Sequence, residues 1–239
     1  MASKFSLPFI KKEKIAKNTF SFYFDKSKNP FDFQPGEYLR MTLDIKNPDA
    51  RGSSRYFTIA ASPLEKEIII TTKIIKSSFK KELLNLKKGQ EVSFFGPMGN
   101  FVIDKNDKKA QVFLAGGIGI TTFYSMIKYL YKKSKNIKIT LIVSFSNEDQ
   151  LIYKEELDEI SRKNSNIKIN YTLTRPIQKK WKGEIGRIDA DKIKKLIDNY
   201  LDSKYYIVGP DEMVEEIKGV VKSLNISEES VNAENFEGY

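Results

Sequence analysis

Three short segments carry residue types that could hold or transform a bound organic group. Val112-Phe113-Leu114-Ala115 runs into Gly116-Gly117-Ile118-Gly119-Ile120-Thr121, an apolar strand that ends in glycines where a helix can start. Amides bared by glycine can approach a diphosphate, and a helix N-terminus favours its negative charge. The spacing is not G-x-G-x-x-G, so a plain tight turn is the alternative reading. Arg55-Tyr56-Phe57-Thr58 alternates along a strand, Arg55 and Phe57 to one side, Tyr56 and Thr58 to the other. An aromatic ring beside a hydroxyl suits a flat heteroaromatic ligand and the arginine suits its phosphate, although Tyr and Thr are also ordinary strand residues. Lys76-Ser77-Ser78-Phe79-Lys80 opens a helix. Its first amides could take a second phosphate, or Ser77 or Ser78 could simply cap them.

What is missing narrows the chemistry further. The 239 residues include no cysteine and no histidine. Disulfides, thiolate zinc sites, Cys-ligated iron–sulfur clusters, Ser-His-Asp catalysis and imidazole acid–base work are therefore excluded within this polypeptide. Carboxylates, hydroxyls, lysines or an organic cofactor must do the work. The ending Glu234-Asn-Phe236-Glu-Gly238-Tyr239 reads as a tail, yet two aromatics around a glycine could cover a planar ligand.

The elements that must position these segments divide into two patterns. Up to residue 106, short strands are predicted at Phe20–Phe24, Tyr38–Leu43, Tyr56–Ala60, Ile68–Ile75 and Val92–Phe95, with one helix at Ser78–Leu86. Turn signals such as Gln34-Pro35-Gly36 and Asn47-Pro48-Asp49 separate them, which predicts an antiparallel barrel or sandwich. From residue 107 the rhythm becomes strand–helix–strand. Strands are expected at Gln111–Ala115, Lys138–Ser144, Ile167–Leu173 and Tyr205–Val208, and helices at Thr121–Lys132, Leu151–Arg162, Asp189–Asn199 and Asp211–Leu224. That is the pattern of a parallel-sheet α/β domain. The predicted organisation is thus a β domain over 1–106 and an α/β domain over 107–239.

Charge is positive and uneven. Lys+Arg number 41 against 31 Asp+Glu, a net +10, and only six of the basic residues are arginine. Scattered lysine reads as solvated surface, not as a nucleic-acid reader, which favours arginine forks. Residues 1–108 hold 20 basic and 12 acidic residues, net +8, and would attract an acidic protein or a polyanion. No segment reads as a signal peptide or membrane span, so a cytoplasmic protein is the expectation.

In their order along the chain, these segments resemble the ferredoxin–NADP reductase family of flavin- and nicotinamide-dependent oxidoreductases, over nearly the whole length. The resemblance implies an N-terminal antiparallel β-barrel that binds flavin, followed by a nicotinamide-binding α/β domain. Arg55-Tyr56-Phe57-Thr58 is similar to the family's Arg-x-Tyr-Ser/Thr. That implies Arg55 on phosphate, Phe57 or Tyr56 on the flavin ring, and Thr58 near flavin N5. Ile59-Ala-Ala-Ser62-Pro63 continues the match. Ser77-Ser78-Phe79-Lys80, with Lys76 before them, resemble the phosphate-binding helix. Gly116, Gly117, Gly119 and Thr121 resemble the nicotinamide diphosphate loop, with Thr122 where proline is usual. Gly209 and Pro210 match the Cys-Gly-Pro segment, with Val208 in place of the cysteine, and Glu234, Phe236 and Tyr239 match a terminal signature whose aromatic covers the flavin until nicotinamide displaces it.

The implied activity is hydride transfer from NADPH or NADH to FAD, with FMN as the alternative, and onward transfer to an acidic carrier such as ferredoxin or flavodoxin. An electron-transfer subunit, a free-flavin reductase and a non-enzymatic nucleic-acid-binding or adaptor protein are the other readings. Ser144 and Ser146 end the second α/β strand without an acidic residue aimed at a ribose diol, which leans toward a 2′-phosphate that Lys154 or Arg175 could bind.

Overall fold

The computed structural model describes residues 2–27, 29–104, 107–134 and 136–236, and these form two compact units, Met1–Ile103 and Asp104–Tyr239. The first unit contains β1 (Ser3–Ala16), β2 (Thr19–Asp25), β3 (Tyr38–Thr42), β4 (Ser54–Thr58), β5 (Glu67–Lys73), α1 (Ser78–Asn85) and β6 (Glu91–Met98). All its strand pairs are antiparallel, in the order β4-β3-β6-β1-β2-β5. The two end strands approach each other: the amide of Ala60, just past β4, donates to the carbonyl of Ile69 on β5 at 2.9 Å, curling the sheet toward a barrel.

β1 is 14 residues long because it changes partner half-way. Its first half pairs with β6, Leu7 opposite Val92, and its second half with β2, with an irregularity between Phe9 and Lys11. Leu7, Phe22, Phe24, Leu39, Met41 and Phe94 fill the interior, with Phe24 edge-on to Phe94 at 5.1 Å. Each such fully buried side chain contributes about 1.5–3 kcal/mol.

α1 closes against this core through Phe79 and Leu83, both fully buried. It starts where the hydroxyl of Ser77 accepts the amide of Lys80 at 3.1 Å, and it stops at Leu86, whose backbone is already extended. Gly89 follows at φ +84°, a left-handed conformation that glycine adopts without steric penalty.

The second unit contains β7 (Ala110–Gly116), a single turn of 3-10 helix (Gly117–Gly119), α2 (Ile120–Lys133), β8 (Ile139–Phe145), α3 (Lys154–Lys163), β9 (Ile167–Leu173), β10 (Glu184–Ile185), α4 (Ala190–Leu196), β11 (Ser203–Gly209), α5 (Asp211–Ser223) and β12 (Val231–Asn235). Every strand pair is parallel, in the order β10-β9-β8-β7-β11-β12. β7 reads as an unbroken apolar run because both faces of a central parallel strand are covered. On one face Phe113 stacks on Phe123 of α2 (4.7 Å between centroids, 4° between planes), and on the other Val112, Leu114 and Ile207 pack with Val214 and Ile217 of α5.

The strand order reverses between β7 and β11, since the chain builds β8 and β9 on one side of β7 before crossing to the other. The crevice beyond the carboxyl ends of two such strands is where open α/β sheets take ligands. Here those ends are Gly116 and Gly209.

Candidate functional site

In the first unit, an anion cradle forms where β4 meets the N-terminus of α1. The Arg55 guanidinium donates from Nη1 to the carbonyls of Arg51, Gly52 and Ser54 at 2.7–2.9 Å and from Nη2 to Asp49 Oδ1 at 2.9 Å. Asp49 also accepts from the amide of Ser78 at 3.2 Å and from its hydroxyl at 3.0 Å. Desolvation pushes the Asp49 carboxyl up, but the bonds from Ser78 and the Arg51 amide, with the Arg55 charge, hold it below the usual carboxylate range. One carboxylate thus gathers a guanidinium, a helix-terminal amide and a hydroxyl, the donor set that phosphate oxygens take.

The rings beside it divide as strand alternation requires. Arg55 lies over Phe79 (5.1 Å), Phe57 packs on Phe79 (5.8 Å), and Lys80 Nζ sits 4.7 Å over the Phe57 ring. Tyr56 points the other way, edge-on to Tyr38, and is 63% exposed. The half-buried Thr58 hydroxyl has no hydrogen-bond partner among the described residues. Ser77 is the α1 cap, and Phe79 is wholly core. Lys76 is exposed. Ser62 is buried with its polar groups engaged in its own turn, its amide donating to Glu65 at 2.7 Å and its hydroxyl accepting from Leu64 at 3.4 Å.

In the second unit, close approach of turn and strand leaves no room for a side chain at Gly119, whose Cβ would lie 2.7 Å from the carbonyl oxygen of Val208, while one on Gly116 would have to displace the flexible end of Met213, 2.2 Å away at Sδ. Gly117 instead has φ +53° with nothing within 4 Å of its missing Cβ, so the backbone there is open to a ligand. Thr121 turns its hydroxyl onto the Ile118 carbonyl at 2.9 Å. The Thr122 hydroxyl, at the start of α2, is buried and has no hydrogen-bond partner among the described residues. Val208 lies opposite Glu234 and Gly209 opposite Asn235, while the Phe236 amide donates to Gly209 at 3.0 Å. Burial raises the Glu234 carboxyl above its ordinary value. Pro210 is exposed beside these residues, and Tyr239 lies outside the described residues.

At the end of β8, Ser144 and Ser146 are half-buried, and the Ser146 carbonyl accepts the Arg175 amide at 2.7 Å. Glu148 fixes the following loop by accepting the amides of Ile177 (2.9 Å) and Gln178 (3.0 Å). Trp181 completes the loop, its indole donating to the Glu184 carbonyl at 2.9 Å. Arg175 is exposed with no side-chain partner among the described residues, whereas Lys154 pairs with Asp158 and lies over Tyr171. Asn147 Oδ1, like Gln111 Oε1, is also buried without a hydrogen-bond partner among the described residues. The sequence assigns no site role to Asp49 or Glu148, and it marks Lys80 and Asn147 only as members of the α1 and β8 segments. The turn signal Asn47-Pro48-Asp49 marked the place of the first, but not its role.

Two family models match the chain: an oxidoreductase FAD-binding domain over residues 6–103 and an oxidoreductase NAD-binding domain over residues 113–219. The chain belongs to the ferredoxin–NADP reductase-like family of oxidoreductases. This ferredoxin–NADP reductase-like chain is 28% identical over 240 residues to the flavohemoprotein of Bacillus subtilis, covering 96% of the chain but 59% of that longer protein. Its fold matches the cytochrome b5 reductase domain of Ulva prolifera nitrate reductase with a TM-score of 0.85 at 20% identity, over 97% of each chain. It also matches the ferredoxin-NADP+ reductase of Plasmodium falciparum at 0.77 and 20% identity, over 98% of this chain and 96% of that one.

FAD and a nicotinamide dinucleotide are its cofactors. Both units carry donors suited to phosphate: in the first the Arg55 guanidinium and the Ser78 amide and hydroxyl, which Asp49 engages, and in the second a glycine turn open at Gly117, with a Thr122 hydroxyl that is buried and unpartnered among the described residues. Among the described residues no group of three metal-ligating side chains forms, and no helix is long and apolar enough to cross a membrane.

Proposed function

We propose that this oxidoreductase takes reducing equivalents from NADPH and delivers them to an acidic electron-carrier protein of the ferredoxin or flavodoxin kind. Charge carries the acceptor assignment: residues 1–108 have a net +8, part of it balancing flavin phosphates and the rest available to steer an acidic partner. When bound, the nicotinamide supplies a hydride, and the flavin holds the two electrons for release.

The residues divide the work by position. Arg55 and the Ser78 amide and hydroxyl grip the diphosphate of FAD, the face shared by Phe57 supports the ring, and the unpartnered Thr58 hydroxyl is free to bond it. Gly116, Gly117 and Gly119 admit the nicotinamide diphosphate to the α2 terminus. Glu234 and Phe236, with Tyr239 after them, attend the nicotinamide end beside Gly209 and Pro210. The preference for NADPH rests on Arg175, whose backbone is tied to Ser146 while its guanidinium stays unpaired among the described residues. A cytoplasmic setting, where reduced nicotinamide is made, belongs to the same reading.

The test is anaerobic. NADPH should bleach the flavin band faster than NADH, and transfer from the reduced protein to an acidic ferredoxin should slow as salt rises from about 50 to about 500 mM, because screening shortens the reach of the field. A transfer rate indifferent to salt would remove the electrostatic acceptor.

A further inference from the structure

Lys80 is an unusual lysine. It is 8% exposed, on the buried side of α1, and its Nζ is held by the Thr72 hydroxyl of β5 and the ring of Phe57 on β4. Two other charged groups act on it, the guanidinium groups of Arg55 on β4 and Arg51 in the preceding turn, and both repel it. The carboxylate of the cluster, Asp49, is bound to Arg55 and Ser78 instead. No carboxylate reaches Lys80 among the described residues. Three cations and one carboxylate therefore converge at the α1 terminus, leaving an excess of about two positive charges, the complement of a diphosphate.

We propose that Lys80 is the proton-linked residue of the flavin site, which takes up one proton from solvent as the diphosphate of FAD seats among Arg51, Arg55 and the α1 terminus. The proposal rests on reading this cradle as the FAD site and adds a residue and a linkage to it. Burial first, then the two guanidinium groups, pulls the Lys80 ammonium down to about 7 without the cofactor. A nearby dianion opposes both effects and raises it again.

The sign follows. Below pH 7 Lys80 is charged in both states and FAD affinity is flat. Above it the empty site is neutral at Lys80 and the filled site is charged, so the dissociation constant rises with pH by up to about tenfold per unit. With no histidine and no cysteine in the chain, no other side-chain type has its ordinary value between pH 6 and 9.

The experiment dilutes the full-length FAD-loaded protein into buffers from about pH 6 to about pH 9.5 and reads released flavin by its fluorescence. Wild type should lose affinity above pH 7. Lys80→Arg, always charged, should bind tightly with no slope, and Lys80→Met weakly with no slope. A flat wild-type profile, or a slope surviving in either variant, overturns the proposal while leaving the FAD site standing. A full-length protein that holds no FAD at any pH overturns the site reading itself. Should both variants fail to fold, Thr72→Val, which removes the hydroxyl that holds Lys80 Nζ, should move the midpoint of the slope to lower pH, and an unmoved midpoint overturns the proposal.

Discussion

Gly119→Ala isolates one contact. The glycine has an ordinary helical backbone (φ −56°), so alanine meets no conformational objection there. Its Cβ would lie 2.7 Å from the Val208 carbonyl oxygen and 3.1 Å from both Val208 C and Cγ1. An unstrained contact needs about 3.5 Å, so strand and turn must separate by about 0.8 Å. Val208 belongs to β11, paired on one side with β7 and on the other with β12, so the turn is the part that yields. Overpacking of this kind costs about 1–3 kcal/mol, roughly 3–10 °C of melting temperature for a unit of this size. The same displacement moves the α2 amides away from the nicotinamide diphosphate. Gly117→Ala is the matched control. It has room for the methyl but a left-handed φ of +53°, a penalty of about 1 kcal/mol with no intrusion on β11. Thermal melts on both variants, and calorimetric titration of Gly119→Ala with NADP+, supply the readings. If Gly119→Ala melts and binds like wild type, or melts no lower than Gly117→Ala, the close approach of turn and strand is not what demands glycine.

Other expectations follow from single residues. Arg55→Ala should loosen FAD by about 1.5–3 kcal/mol, the worth of a charge-assisted hydrogen bond, and lower stability as well because four bonds of the 49–55 turn go with it; flavin content after gel filtration checks this. Glu234 has a folded-state pKa raised by burial, so the stability it permits is fully present below about pH 4.5 and is lost as pH rises through the raised value. Glu234→Gln should therefore melt higher than wild type at pH 7 and equally at pH 4, by paired thermal scans. Arg175→Ala should raise the KM for NADPH at least about tenfold with little change for NADH, and equal effects on both would remove the 2′-phosphate contact.

The barrel and the parallel sheet were legible because their central strands carry the signal that solvent exposure imposes. The Lys-rich second half of β1 was not, since Lys11, Lys12 and Lys14 face water and show no apolar alternation. β12 reads as a tail because Val-Asn-Ala-Glu-Asn has no period; parallel pairing with β11 alone makes it a strand. β4 sits two residues earlier than the Tyr56–Ala60 expected, because Ile59, Ala60 and Ala61 are buried beyond the end of the ladder. The glycine turn and the Arg55 segment were visible as motifs. Lys80 was visible as a member of the α1 motif, but its role and that of Asp49 were not, because they arise from α1 packing on β4, a contact that no local spacing encodes.

Trp181 is the one tryptophan in the chain, and its indole is tied to Glu184 within the loop that Glu148 anchors at the end of β8. The protein therefore carries a built-in optical probe in that single loop. Excited at the red edge of its absorption, where the twelve tyrosines are silent, its emission reports one corner of the α/β unit. A dinucleotide settling against the loop would register as a change in tryptophan emission even before any electron moves.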